Sequence, residues 1–306
     1  MRWLISFCLA ATAASAQTLN LTGPASPDAL AFSATVLPSR ADFEARGAAP
    51  LGGGFTASLR LGEFHFDDRL ALFPGGAAVP RNLWTLDGSL SYARKLDGDR
   101  LLSLTLGAGS ASDKLFHGID ETQISATAAL VTKAATGDRW LIGLNFSTNR
   151  PVLNYIPLPI VAWLFEAPAL HLDGSIGFPF ATLRWRPENQ WDALLAVVAT
   201  NVTAEAGFRP VRRLRLSAGY YWGQILWAPV ARADTSSRLI YDWMRAAGGA
   251  EMSVGRVSLQ LAAGYAFDTR VFLGTGEFDS TAQRALPSSW FATVALKLQT
   301  GSANKP

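Results

Sequence analysis

The sequence predicts an all-β fold, an antiparallel transmembrane β-barrel of about twelve strands, with fourteen as the alternative. Three observations predict it. Segments of about ten residues alternate apolar and polar side chains, the period of two that sends successive residues to opposite faces of a strand. Seven of the nine tryptophans that follow residue 16 stand at the ends of such segments: Trp84, Trp140, Trp185, Trp191, Trp222, Trp243 and Trp290. Indole rings prefer the membrane-water interface, so strands that cross a bilayer collect them in girdles at both rims. Finally, a hydrophobic content of 49% comes without any run approaching the roughly 18 consecutive apolar residues of a membrane helix after residue 16.

Taken in order, residues 1 to 16 have a basic start (Arg2), an apolar run and the small-residue exit Ala14-Ser15-Ala16. This is the pattern of a secretory signal peptide. Cys8, the only cysteine, lies inside it. The expected mature chain therefore has neither a disulfide framework nor a Cys-based metal site. Losing Arg2 with the signal takes the formal charge from +3 to +2. The basic residues are scattered, which gives no footprint for nucleic acid.

Residues 17 to 50 are rich in Ala, Ser and Pro and hold one candidate extra strand, 30 to 36. Residues 51 to 299 are expected to form the barrel, and 300 to 306 a polar tail. Alternation is clearest at Val257, Leu259, Leu261, Ala263, Tyr265 and Phe267, which share a face opposed by Ser258, Gln260, Ala262, Gly264 and Ala266. Similar patterns place strands near 51 to 61, 84 to 94, 100 to 110, 122 to 133, 139 to 148, 178 to 186, 191 to 199, 201 to 208, 213 to 223, 239 to 253, 256 to 267 and 289 to 299. Tight turns between them alternate with longer loops at 62 to 83, 111 to 121, 149 to 177, 224 to 238 and 268 to 288. Short periplasmic turns and long outer loops are the habit of outer-membrane barrels. The tight break near Thr200 falls where a long loop is due, so 191 to 208 reads equally as one bulged strand.

At residues 154 to 166 (NYIPLPIVAWLFE) and 176 to 187 (IGFPFATLRWRP), the chain resembles an uncharacterised family of Gram-negative outer-membrane β-barrel proteins, a domain of unknown function. The resemblance implies fold and address, namely the outer membrane, with outer-membrane lipids and the barrel-assembly machinery as partners. It implies no activity. The last strand departs from the common aromatic ending, since Leu298 is followed by the tail from Gln299.

Few residues offer chemistry. His65, His117 and His171 are the only histidines, and none has a serine two residues away. The nucleophile-base pairing of an outer-membrane hydrolase is thus not recognisable, and no catalytic residue is assigned. Asp67 and Asp68, near Glu63 and His65, lack the glycine-spaced oxygen pattern of a calcium loop, so neither metal nor cofactor is expected.

The expected inner face carries Arg60, Asp87, Lys133, Arg184, Glu205, Arg213, Arg215, Arg245, Glu251 and Lys297. Its basic excess would favour small anions in an open lumen. Pairing across a closed lumen, for instance Arg215 or Arg245 with Glu205 or Glu251, is the alternative. The apolar segment 156 to 165 reads either as a plug in the mouth or the lining of a hydrophobic ligand site, or as a surface packed on lipid or a partner at the rim. The functional expectation is a narrow channel or facilitator for small solutes, a porin-like role. An outer-membrane enzyme acting on lipids and a structural or adhesive barrel with a plugged lumen are the alternatives.

Overall fold

The computed structural model describes residues 29–67, 78–150, 153–187, 190–232, 234–276 and 279–299. The expected signal peptide, Asp68 and the C-terminal tail lie outside them. Along the described residues run β1 (Ala29–Leu37), β2 (Arg40–Gly52), β3 (Phe55–Phe66), β4 (Asn82–Lys95), β5 (Leu101–Ser112), β6 (Thr122–Lys133), β7 (Arg139–Ser147), β8 (Leu158–Ala167) and β9 (Leu172–Phe178). They are followed by β10 (Phe180–Trp185), β11 (Trp191–Val198), β12 (Asn201–Val211), β13 (Leu214–Trp227), β14 (Arg238–Val254), β15 (Val257–Gly276), β16 (Asp279–Leu286) and β17 (Ser289–Gln299).

Sixteen of these strands form a closed antiparallel ring. Neighbours in sequence pair from β1 through β15; β15 then pairs with β17, and β17 with β1. Closure leaves the wall without a free edge, which satisfies the backbone groups that hydrocarbon cannot. β16 stands outside the ring. It pairs only with residues 269–276 of β15, beyond Ala266, where the β17 ladder ends.

The strand count thus exceeds the expected twelve to fourteen, and each missing strand has a physical reason. The wall begins at Ala29, so both β1 and β2 belong to it. On β2 the alternation is between Arg40, Asp42, Glu44, Arg46 and small or apolar residues, a charged inner face that composition hides. β8 is apolar on both faces and has no polar phase to read. β9 is short, contains Gly174 and Gly177, and leads into the cis Phe178-Pro179 bond that turns the chain into β10. The segment 156 to 165 is therefore largely a wall strand and not a plug, with Ile160, Ala162 and Leu164 buried and Val161 and Trp163 outside. The tight break near Thr200 is a real turn between β11 and β12, with Ala199 at positive φ.

The even count puts both ends of the wall on one side. Connections there are all short, at 53–54, 96–100, 134–138, 168–171, 186–190, 212–213 and 255–256. The other end has three equally tight turns but also the longer connections 67–81, 113–121, 148–157 and 228–237. Among the described residues no helix is long and apolar enough to cross a membrane. The crossing elements are strands.

Candidate functional site: a lumen closed at one mouth

Strands β13, β14 and β15 run past the ladders of their ring neighbours: β12 pairs with β13 only as far as Trp222 and β17 with β15 only as far as Ala266, while β13 to β15 continue to Trp227, Arg238 and Gly276. A bulge marks where the extra length begins. Asp242 pairs with Arg270 and Met244 with Phe267, so two residues of β15 face Trp243 alone, and one of them, Asp268, has positive φ. Bulges bend strands. At the same level β17 gives way to β16 across Pro287. Above this line the sheet leaves the ring and lies across the long-loop mouth as a flap.

The flap reaches the opposite wall. Strands β13 and β5 stand eight places apart in either direction round the ring, yet the amide of Ala228, just past β13, donates to the carbonyl of Ala111 at 2.7 Å. Ser112 Oγ donates to the Ala228 carbonyl at 2.8 Å, and the Val230 amide to Asp113 Oδ1 at 2.8 Å. Beneath these bonds lies an apolar core in which Phe64, Phe66, Leu83 and Ala111 meet Ile225, Trp227, Leu239, Tyr241, Trp243, Val271 and Leu273. Phe64 stacks against Trp227 at 5.2 Å and Tyr241 at 4.8 Å. Trp227 is 1% exposed. Burial of a large apolar side chain contributes on the order of 2 kcal/mol, so several such contacts hold the flap down. Gly223 makes room for it: a Cβ there would sit 2.6 Å from the Trp243 ring.

A buried ion pair pins the flap's tip. Arg232 Nη1 donates to Glu121 Oε1 at 2.7 Å and to the carbonyls of Ala228 and Pro229, while its Nη2 donates to the carbonyl of Asp120 at 3.0 Å. On the flap's other flank, Arg238 donates to the Tyr155 hydroxyl at 3.0 Å.

Two polar networks line the barrel below. In one, Asp192 accepts from Arg209 and Arg215 at 2.5 Å each; Arg215 also reaches Glu205 at 2.7 Å, and Tyr221 donates to Glu205. In the other, Glu44 pairs with Arg46 and with Arg60 at 2.8 Å, Arg60 approaches Asp87 at 3.8 Å, and Gln123 bridges Asp87 to Asn149. Between the flap and this second network, Arg245 lies 3.6 Å from Asp42 and stacks over Trp243 at 4.4 Å.

The outer surface is the reverse. Leu59, Leu106, Ile142, Leu144, Val161, Leu261 and Val294 project outward on six different strands, Leu106 with 65% of its surface exposed. Aromatic pairs border this belt: Phe55 with Tyr92, Trp163 with Phe165 and Trp191 with Phe208 towards the short turns, and Tyr265 with Trp290 towards the long loops. A closed ring with an apolar belt between aromatic rims can satisfy its backbone only internally and its surface only in lipid. The chain is an outer-membrane β-barrel. Its flap lies across the mouth that carries the longer connections.

No family model and no curated protein matches the chain. Solved structures similar to it include the FrpB iron transporter from Neisseria meningitidis, with 10% identity and a TM-score of 0.31 over 90% of this chain and 67% of that one. LpxR from Salmonella typhimurium has 10% identity and a TM-score of 0.33, over 88% of this chain and 99% of that one. The Pseudomonas putida toluene transporter TodX has 10% identity and a TM-score of 0.34, over 95% of this chain and 96% of that one. Likenesses of this size say nothing about what this barrel passes, binds or converts.

Of the candidate lumen residues, Arg60, Arg215 and Arg245 take part in the contacts above. Arg184 lies opposite Asp173 and Glu251 opposite Arg215 in their strand ladders. Arg213 is in the exposed turn between β12 and β13, not on the wall. Trp140, Trp185, Trp191 and Trp290 are exposed on the outer face, and Trp84 and Trp222 are half-buried. Trp243 departs from the expected girdle, being 2% exposed in the core beneath the flap. Asp42, Glu44, Asp173 and Asp192 contribute carboxylates, and Arg40, Arg46 and Arg209 contribute cations, from segments not read as regular inner faces. His65 shares a hydrogen bond with Asn82 Oδ1 at 2.5 Å and lies 3.1 Å from Asp67. Sequence reasoning missed Glu121, Arg232 and Trp227 altogether. Their partners are more than a hundred residues away, and no local period announces them.

Proposed function

We propose that this protein serves the passage of small solutes across the outer membrane as a gated facilitator whose resting state is closed. The contact between Ala228 and Ala111 carries this reading, because it joins opposite walls of the ring above a polar lining. The interior below it is polar, with Ser58, Ser89, Ser91 and Thr105 lining the wall in hydrogen-bonded pairs, as a water-filled path requires. The reading assigns no catalytic residue.

The test is a shortened flap. Cutting the β13-β14 hairpin back to its Ile225-Tyr241 pair and closing it with Asn-Gly, a favoured hairpin turn, removes the cross-mouth contact. Single-channel recordings in planar bilayers should show rare openings for the full protein and steady conductance for the shortened one. A shortened barrel that folds, as judged by heat-modifiable gel migration, yet conducts no better than the full protein would sink the proposal in favour of a blocked structural barrel.

A further inference from the structure

The core beneath the flap holds polar atoms that it does not satisfy. Arg40, at the start of β2, is 1% exposed, and its Nε, Nη1 and Nη2 have no hydrogen-bond partner. Its guanidinium sits 5.4 Å from the centre of the Tyr241 ring. The Tyr241 hydroxyl, Trp243 Nε1 and Arg245 Nε are likewise buried without partners. Tyr241, Trp243 and Arg245 alternate along the inward face of β14, so they and Arg40 look into one space.

Most of these groups are donors, and the acceptors nearby are committed. Asp42 is held by Arg245, while Glu44 and Asp87 are matched by Arg46 and Arg60. Among the described residues the Arg40 guanidinium is left without a hydrogen-bonding acceptor, with Phe66 opposite it in the β2–β3 ladder and the Tyr241 ring beside it. A buried guanidinium without an acceptor opposes the packing that holds the flap down. A flap that lifts carries β14 away from β2 and opens the space between these donors.

We propose that Arg40 and Arg245, with the Tyr241 hydroxyl and Trp243 Nε1, form a recognition site for a small oxyanion, either a carboxylate or inorganic phosphate, and that its occupancy favours the open flap. The proposal rests on the gated reading above. Guanidinium forks match the two oxygens of an oxyanion in a bidentate manner, and the phenol and indole groups supply neutral donors. A ligand that binds only the open form shifts the population towards it.

Two measurements test this and keep it separable from the gated reading. The first is equilibrium dialysis of labelled acetate or labelled phosphate against the shortened-flap barrel, which lacks the cross-mouth contact whether or not it conducts. Saturable retention is expected, falling at least about tenfold in Arg40→Gln and Arg245→Gln, as loss of a charge-assisted hydrogen bond implies, but not in Arg213→Gln. The arm that is retained identifies the source of the oxyanion. The second is the opening frequency of the full protein at constant ionic strength, which should rise saturably with the retained anion and stay flat in Arg40→Gln. Retention of neither anion by a folded shortened barrel overturns the site and leaves gating standing. Retention that never changes the opening frequency overturns the coupling, and a shortened barrel that binds without conducting overturns the gated reading alone.

Discussion

The amide of Ala228 donates to the carbonyl of Ala111 at 2.7 Å, a backbone bond between segments on opposite sides of a sixteen-strand ring. A backbone pair at this distance places its Cα atoms about 5 Å apart, within the reach of a disulfide. Replacing both residues by cysteine should therefore lock the flap. Openings in bilayer recordings should vanish in the oxidised Ala111→Cys/Ala228→Cys protein and return with a reductant. Openings of equal frequency in both states would show that ions do not pass beneath this contact.

Arg232 should anchor the flap's tip. It is paired with Glu121 and bonded to four carbonyls, with side chains 2% and 8% exposed. Arg232→Ala leaves Glu121 buried and unpaired, which costs about 3–5 kcal/mol. Faster hydrogen exchange of the 228–237 amides is the expected result. Glu121→Leu/Arg232→Met, which removes both charges, should recover most of the protection.

Charge selectivity should follow the lumen's pairs and not a count of its cations. Arg215 is held between Asp192 and Glu205, so Arg215→Gln releases negative charge into the lumen. In the shortened-flap barrel its reversal potential under a salt gradient should move towards the cation side. Arg213→Gln, altered in an exposed turn, should move it little. A shift towards anions in Arg215→Gln would contradict the pairing.

The outer belt makes a prediction about depth. Leu106 lies mid-strand on β5 and is 65% exposed, whereas Trp290 stands at the rim and is 73% exposed. Arginine at position 106 should cost about 2–4 kcal/mol and at 290 only about 0–1 kcal/mol for placing the charge at that depth. Urea titrations of folding into lipid vesicles measure both. Equal costs would mean that the two positions do not differ in membrane depth.

Much of the fold was legible because alternation is a property of one strand. The two faces of β5 and β15 follow from their own residues, and outward tryptophans such as Trp290 report the rim without help from any neighbour. Charged strands and doubly apolar strands carry no such signal, and so β2 and β8 went unread. Of the candidate site, Arg60, Arg215 and Arg245 were legible as inward residues, and so were their partners Asp87 and Glu205, but Glu44, Asp192 and Asp42 were not.

By itself the sequence determined a barrel with a lipid-facing belt and both wall ends on one side, since period, polarity and an even strand number are local or additive properties. Tertiary structure decided how many strands close the ring, which charges neutralise one another, and that β13 to β15 bend across the mouth. The physical reason is range. The packing of Trp227 on Phe64 and the bond from Ala228 to Ala111 join residues from distant parts of the chain, and only the closed ring brings those partners within contact distance.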